Sequence, residues 1–138
     1  MAEQINALLV HAPDETLHDL TQALKCLSIE VTHARNCREA SLLFKRLDGV
    51  DLVFAGIALP DGSWVDVLRL AQQSKRFLPV IVVSRMVDVG LYLDAIEKGA
   101  FDFVTPPFLT SDLAHIIRSA IYRELVSAKQ ELSAPRAA

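Results

Sequence analysis

The hydrophobic positions of the chain follow two alternating periods. Five short apolar segments are candidate strands, because they are compact and rich in aliphatic side chains. These segments are 5–10, 30–34, 51–55, 79–84 and 101–105. After each of them, apolar residues recur at three- and four-residue spacing, which is the period of an amphipathic helix. The pattern therefore predicts strands and helices in strict alternation.

Residues that start and stop helices support this division. Pro13 and Asp14 open the first helix, whose apolar stripe begins at Leu17. Asn36 is the predicted N-cap of the second helix. Gly99 is typical of the residue that ends a helix. Thr110 or Ser111 is the predicted N-cap of the last helix.

The segment 79–84 is apolar on both faces, which is typical of a central parallel strand covered by helices. Strands that alternate with helices predict βαβ units with right-handed crossovers. We therefore expect an α/β fold with a doubly wound, five-stranded parallel sheet. Residues 1–126 are expected to form one domain. In residues 127–138 the apolar stripe fades, and this segment is predicted to be a C-terminal tail or the start of a linker.

Composition narrows the classes of function. The net charge is −3 and the basic residues are scattered, which argues against a nucleic-acid partner. No apolar run is long enough to span a bilayer, and the N-terminus lacks the features of a secretory signal. We therefore expect a cytoplasmic protein with no membrane partner. Cys26 and Cys37 lack the spacing of metal ligands and are predicted to be buried thiols on helices.

In an open parallel sheet, the functional site is expected beyond the carboxyl ends of the strands. The residues that follow the predicted strands there are His11, Ala12, Gly56, Ser84, Arg85, Pro106 and Pro107. None of them has a carboxylate, and Gly56 has no side chain at all. Gly56 therefore offers no reactive group at the position where one is expected.

Several stretches together resemble the receiver domain of bacterial two-component response regulators, over about residues 4–126. They are the LLV strand, DLVFAGIALPDG, PVIVVS, AIEKGAFDFV and the PPF turn. The stretches GAFDF and IIRSAIYREL are most similar to NtrC-like receivers, which precede ATPase modules. The resemblance implies a flavodoxin-like strand order of 2-1-3-4-5 and a role in phosphorelay signal transduction.

In that family an aspartate after the third strand accepts a phosphoryl group, and it holds Mg²⁺ together with two acidic residues after the first strand. Carried over by position, the acidic pair is replaced by His11 and Ala12, and the phosphoacceptor by Gly56. The lysine that contacts the phosphoryl group is replaced by Pro106. Ala58 offers only its backbone carbonyl, which cannot hold Mg²⁺ alone. We therefore expect no catalytic residue, no metal site and no cofactor.

Two features of the family's site persist. Ser84 keeps the hydroxyl group after the fourth strand, and Pro107 keeps the proline of the family's Lys-Pro pair. The resemblance implies that the Pro106-Pro107 bond is cis, as that bond usually is in the family. Arg85 stands where the family generally has a small residue. With His11, it suggests a weak preference for anions in the emptied cleft.

The interpretation that follows is a pseudo-receiver, which is not an enzyme and acts through protein-protein interaction. Its partner would be a histidine kinase, an effector module or a second copy. The fourth helix, fifth strand and fifth helix are the expected interaction face, with candidates Tyr92, Lys98, Phe103, His115, Arg118 and Tyr122. Two alternatives remain: a phosphoacceptor receiver that uses a displaced carboxylate, Asp14, Glu15 or Asp61, or a small-ligand sensor.

Overall fold

The computed structural model describes residues 4–46, 49–74 and 78–133, and the side chains of these residues up to 122. Strands and helices alternate along the chain. They are β1 (Asn6–Val10), α1 (Glu15–Cys26), β2 (Glu30–Ala34), α2 (Cys37–Arg46), β3 (Leu52–Gly56), α3 (Trp64–Gln73), β4 (Val80–Val83), α4 (Val89–Lys98), β5 (Asp102–Val104) and α5 (Thr110–Ser133). A small antiparallel hairpin in the β3–α3 loop pairs Ala58–Leu59 with Gly62–Ser63.

The five strands form one parallel sheet in the order β2-β1-β3-β4-β5. The predicted α/β fold and its strand order are therefore confirmed. Every residue of β3 and β4 is buried, as expected for central strands covered on both faces. Val10 pairs with Ala55, and Gly56 pairs with Val83, so that β1, β3 and β4 end at the same edge of the sheet.

The core has two layers, one on each face of the sheet. On one face, Leu8 and Val10 of β1 pack in a cluster with Trp64 and Leu68 of α3. On the other face, the alternate residues of β1 join a cluster with the buried stripes of α1 and α5. The members of this second cluster from α1 and α5 include Leu20, Ala23, Leu24, Leu113 and Ile117. The predicted apolar stripe of α1 thus faces the sheet, as expected from its spacing.

Two helices start at the predicted cap. The Asp14 carboxylate accepts a hydrogen bond from the Leu17 amide at 2.9 Å, and the Asn36 side-chain oxygen accepts one from the Glu39 amide at 2.8 Å. Ser63 and Asp66 form a capping box at α3, a pair that satisfies two amides reciprocally. Gly99 ends α4 with φ of 111°, a left-handed conformation that favours glycine.

Helix α5 continues to Ser133, so the segment predicted to be a tail or the start of a linker begins as part of this helix. This stretch is rich in good helix formers, which extend a helix even where an apolar stripe fades. The structure corrects two other predictions. The helix starts at Thr110, so neither Thr110 nor Ser111 precedes it as a cap, and residues 134–138 lie outside the described residues.

The second correction concerns the cysteines. Cys26 is exposed at the end of α1 rather than buried, and Cys37 is half-buried at the start of α2. Both positions are the terminal residues of helices, where one face of the first or last turn is open to solvent. Within the part of the chain that the structure describes, no helix has the length and apolar character needed to cross a membrane.

Candidate functional site at the strand carboxyl ends

The parallel register brings the ends of β1 and β3 side by side. His11 directly follows Val10, whose strand partner is Ala55, so the next residue pair in register is His11 and Gly56. The His11 amide donates a hydrogen bond to the Ala34 carbonyl of β2 at 3.0 Å, which fixes its backbone in the sheet. The two positions that lack the family's carboxylates therefore face each other across one strand pair.

The imidazole of His11 occupies the space where a side chain on Gly56 would begin. A Cβ atom on Gly56 would lie 2.7 Å from His11 Cδ2, 3.1 Å from Cγ and 3.2 Å from Nε2. Carbon atoms in van der Waals contact stay about 3.5–4.0 Å apart. Because Gly56 does not have a positive φ, its backbone does not need glycine. Glycine is needed here because the ring leaves no room for a Cβ.

His11 is held firmly in this position. The residue is only 9% exposed, and its Nδ1 lies 2.7 Å from the Ala12 carbonyl oxygen. A carbonyl accepts hydrogen bonds but does not donate them, so Nδ1 is the donor in this contact. Asp14 Oδ1 is 3.7 Å from Nδ1. The ring is thus fixed by burial and by a local hydrogen bond.

Two of the three candidate displaced carboxylates cap helices. Asp14 caps α1, as described above. The two oxygens of Asp61 accept hydrogen bonds from the amides of Cys37, at 2.7 Å, and Arg38, at 3.0 Å. The Cys37 hydrogen bond, followed by that from Arg38, lowers the pKa of Asp61 below its ordinary value. Glu15 is exposed in the first turn of α1.

The contact between Asp61 and α2 was not predicted from the sequence. The LPDG stretch indicated only a turn. In the structure, the loop carboxylate caps α2 through two amides that precede it by 24 and 23 residues. Negative charge at a helix N-terminus is favourable because unpaired amides point there. No local pattern identifies this contact, since it depends on how the hairpin packs beside α2.

The remaining positions at this edge are structural in character. The Ser84 hydroxyl donates to the Met86 carbonyl at 2.8 Å and accepts from the Met86 amide at 3.3 Å, which closes a tight turn. Arg85 is exposed, and no hydrogen bond or ion pair that the described residues show links it to His11. The Pro106-Pro107 bond is cis, as predicted.

The residues at this edge do not fit Mg²⁺. A hard divalent cation takes several oxygen ligands, mostly carboxylates and water. His11 and Ala12 offer one imidazole and a carbonyl that already accepts from it, and Gly56 offers no side chain. Within residues 4–46, 49–74 and 78–133, no group of three or more His, Cys, Asp or Glu side chains is placed to hold a metal ion.

The six candidates for an interaction face lie on α4, β5 and α5. Tyr92 and Phe103 meet edge to face, with ring centroids 6.0 Å apart, and His115 lines a cavity beside Phe103. Arg118 and Tyr122 line a second groove, together with the residues that precede β1 and β2. His115, Arg118 and Tyr122 are separated by three and four residues, so they follow one another along one side of α5.

Lys98, the sixth candidate, lies on the other flank of α4. Its ammonium group pairs with Asp94 Oδ1 at 2.6 Å, and this contact raises the pKa of Lys98. Its carbonyl accepts a hydrogen bond from Gln72 of α3 at 3.4 Å. The backbone of Lys98 thus contacts α3, whereas the ring of Tyr92 contacts Phe103 of β5.

Comparison with known proteins agrees with this architecture. Residues 8–118 match the model of the family described as "Response regulator receiver domain". The response regulator protein PilR of Pseudomonas aeruginosa is 31% identical over 115 residues, which are 83% of this chain and 26% of PilR. The DNA-binding transcriptional regulator NtrC of Rhizobium meliloti is 31% identical over 102 residues, covering 74% of this chain and 21% of NtrC.

A solved structure supports the same relationship. The signal receiver domain of a putative Luxo repressor protein from Vibrio parahaemolyticus superposes with a TM-score of 0.75 at 25% identity. That superposition covers 97% of this chain and 100% of the other. The chain spans about a quarter of the length of PilR and of NtrC, so the likeness concerns their receiver parts. By its fold, its matched residues and these relatives, the chain belongs to the family of response regulator receiver domains.

Proposed function

We propose that this receiver domain takes part in two-component signalling without aspartyl phosphorylation, as a pseudo-receiver that acts through contacts with other proteins. The observation that carries the proposal is the His11 ring, which lies where a side chain on Gly56 would begin. In this proposal the domain is not an enzyme and binds neither Mg²⁺ nor a cofactor. Its place of action is the cytoplasm, and its partner is a histidine kinase, an effector module or a second copy.

The chemistry of phosphoryl transfer supports the proposal. The step needs a nucleophilic oxygen in line with the incoming phosphoryl group and cations that offset the developing negative charge. At this edge of the sheet, Gly56 supplies no nucleophile and Pro106 supplies no ammonium group. The Ser84 hydroxyl is the one family group that remains, and it is already engaged with Met86.

The alternative of a displaced carboxylate is disfavoured by what the candidates already bind. Phosphorylation of Asp14 or Asp61 would disturb a carboxylate that accepts hydrogen bonds from helix amides. A cap of this kind contributes about 1 kcal/mol to stability. An anion sensor is disfavoured as well, because Arg85 is exposed and none of the contacts shown by the described residues joins it to His11.

The test is treatment of the full chain with beryllofluoride, or with acetyl phosphate, in the presence of Mg²⁺. Fluorescence of the single tryptophan, Trp64, and intact mass report on the adduct. Trp64 is buried in the core beside the β3–α3 loop, so it senses changes at this edge. We expect no adduct, no change of fluorescence and no rise in melting temperature with millimolar Mg²⁺.

A variant that restores the family's residues is the positive control for the reagents. It combines His11→Asp, Ala12→Asp, Gly56→Asp and Pro106→Lys, which also removes the ring that obstructs position 56. This variant is expected to bind Mg²⁺ and to form the adduct. A phosphoryl adduct on the native chain would overturn the proposal, and peptide mapping to Asp14 or Asp61 would establish the displaced carboxylate in its place.

A further inference from the structure

A groove beside α5 combines an apolar lining with one cationic group. It encloses about 400 Å³ between α5, the end of α1 and the residues that precede β1 and β2. We call it the α5 groove. Sites of this size that hold small molecules are mostly apolar and have a few polar groups that orient the ligand. The aliphatic side chains that line the groove are Ile5, Leu27, Ile29, Ala114, Ile117 and Ile121.

The walls of the α5 groove are fixed by the core and by a hydrogen-bonded turn. Ile29 and Ile117 are 7% and 2% exposed and belong to the core cluster on this face of the sheet. In the turn between α1 and β2, the amides of Ser28 and Ile29 donate to carbonyls in the last turn of α1. The side chain of Gln4 donates to the Ser28 carbonyl at 2.6 Å. A ligand therefore meets a preformed site, which lowers the free energy that binding must spend on ordering.

Arg118 supplies the positive charge of the α5 groove. The residue lines the groove and is exposed. No residue three or four positions away on α5 has a carboxylate. None of the side-chain hydrogen bonds or ion pairs shown by the described residues involves its guanidinium group. This group is therefore open to an anion, and its planar fork matches the two oxygens of a carboxylate.

The apolar surface of the α5 groove is recessed, which favours a thin ligand over the surface of another protein. Of the nine exposed large hydrophobic residues in the described part of the chain, Tyr122 alone lines this groove. A specific protein interface takes about 800 Å² from each partner. An α-helix is about 10–12 Å wide with its side chains. An extended alkyl chain is much narrower, so it reaches recessed side chains that a docked helix does not.

The volume of the α5 groove sets the size of the ligand. A water molecule takes up about 30 Å³ of liquid, and a methylene group is of similar size, so the groove holds roughly a dozen non-hydrogen atoms. A saturated carboxylate with a chain of about ten carbons, such as decanoate, has this size. Its alkyl chain matches the aliphatic lining, and its charge is opposite to that of Arg118.

We propose that the α5 groove binds a medium-chain aliphatic carboxylate, with the alkyl chain against the aliphatic lining and the carboxylate on Arg118. The groove lies at the amino ends of β1 and β2, whereas His11 and Gly56 lie at the carboxyl ends of the strands. The inference therefore goes beyond the proposed function and does not depend on it.

Titration of the nitrogen-15-labelled full chain with decanoate, followed by the chemical shifts of its amides, tests the site. Saturable binding is expected, with a dissociation constant of about 0.1–1 mM for a ligand of this size. The largest shifts are expected at Ile29 and Ile117, which line the groove. Octanoate is expected to bind about tenfold more weakly, because each buried methylene group contributes a factor of about three to four.

Variants test the head group and the apolar lining separately. Arg118→Gln is expected to weaken the binding of decanoate about threefold to tenfold. It should not weaken the binding of decyltrimethylammonium, which has the same alkyl chain and a cationic head. Arg38→Gln is the matched control, since Arg38 is an exposed arginine on α2. Ala114→Phe, which fills the groove, and Tyr122→Ala, at an exposed position, are expected to weaken the binding of both ligands, and circular dichroism checks that each variant is folded.

Three results would each overturn the inference. They are the absence of saturation up to about 5 mM decanoate, equal affinity in the native chain and Ala114→Phe, and an Arg118→Gln variant that binds decanoate as tightly as the native chain. Sedimentation velocity of the same samples detects the other occupant: a dimer that excludes decanoate and is dispersed by Ala114→Phe would assign the groove to a second copy. A beryllofluoride adduct contradicts only the proposed function, because it forms at the carboxyl ends of the strands.

Discussion

Replacement of Gly56 by alanine tests directly whether His11 and Gly56 depend on each other. The added Cβ would lie 2.7 Å from Cδ2 of a ring that is 9% exposed and held by the Ala12 carbonyl. Forcing one extra methyl group into such packing costs about 1–3 kcal/mol. At a backbone position that tolerates alanine, the same change stabilises a protein by about 0.4–1 kcal/mol through the unfolded chain. The net expectation in the native chain is a loss of about 1–2 kcal/mol.

The sign of the effect should reverse when the ring is removed. In a His11→Ala background, Gly56→Ala meets no imidazole, so it is expected to stabilise the domain by about 0.4–1 kcal/mol. The four proteins form a double-mutant cycle with a coupling free energy of about 1.4–3 kcal/mol. Urea unfolding followed by tryptophan fluorescence measures each free energy of unfolding.

The control is another glycine with ordinary space around it. A Cβ on Gly90 in α4 would lie 3.5 Å from Asp88 Oδ1 at the closest, so Gly90→Ala is expected to stabilise the helix by about 0.5–1 kcal/mol. A Gly56→Ala variant as stable as the native chain would refute the reasoning. A coupling free energy below about 0.5 kcal/mol would refute it as well, since substitutions at sites that do not interact are additive within that value.

Three further predictions concern groups outside the His11–Gly56 contact. Asp61→Ala should lower the melting temperature at pH 7. Because amides of α2 lower the folded-state pKa of Asp61, the difference in melting temperature from the native chain should close as the pH falls from about 4 through that pKa. A difference that stays constant from pH 7 to 3 would count against this. Burial, aided by the Asp61 carboxylate, raises the pKa of the Cys37 thiol to about 11, so maleimide at pH 8 should label exposed Cys26 alone, and a Cys26→Ser chain that is labelled rapidly would be inconsistent with the structure. Ser63→Ala should cost about 1 kcal/mol in urea unfolding through the loss of the α3 capping box, whereas Ser63→Thr should retain most of it; equal losses in both variants would disprove the role of the hydroxyl.

Features that depend on local sequence were predictable without the structure. The apolar segments and helix stripes located every strand of the sheet, because burial on one or both faces leaves a period in the sequence. The caps at Asp14 and Asn36 were at the predicted helix starts, since a cap bonds amides two or three residues away. Once the strand ends were placed, the sequence also showed that Gly56 stands, without a side chain, where the family has its phosphoacceptor.

The tertiary structure alone decided what fills that position. His11 and Gly56 are distant in the chain and meet only through the register of β1 and β3. Asp61 reaches the amides of α2 in the same way, through packing of a loop hairpin.

The orientation of α4 was likewise beyond the sequence pattern. The pattern placed Tyr92 and Lys98 on one helix, but which side of that helix contacts β5 depends on how the helix packs. Periodicity determines which residues are buried, because burial is a property of one segment. Contacts between distant segments depend on strand register and helix rotation, and these are settled only when the whole core packs together.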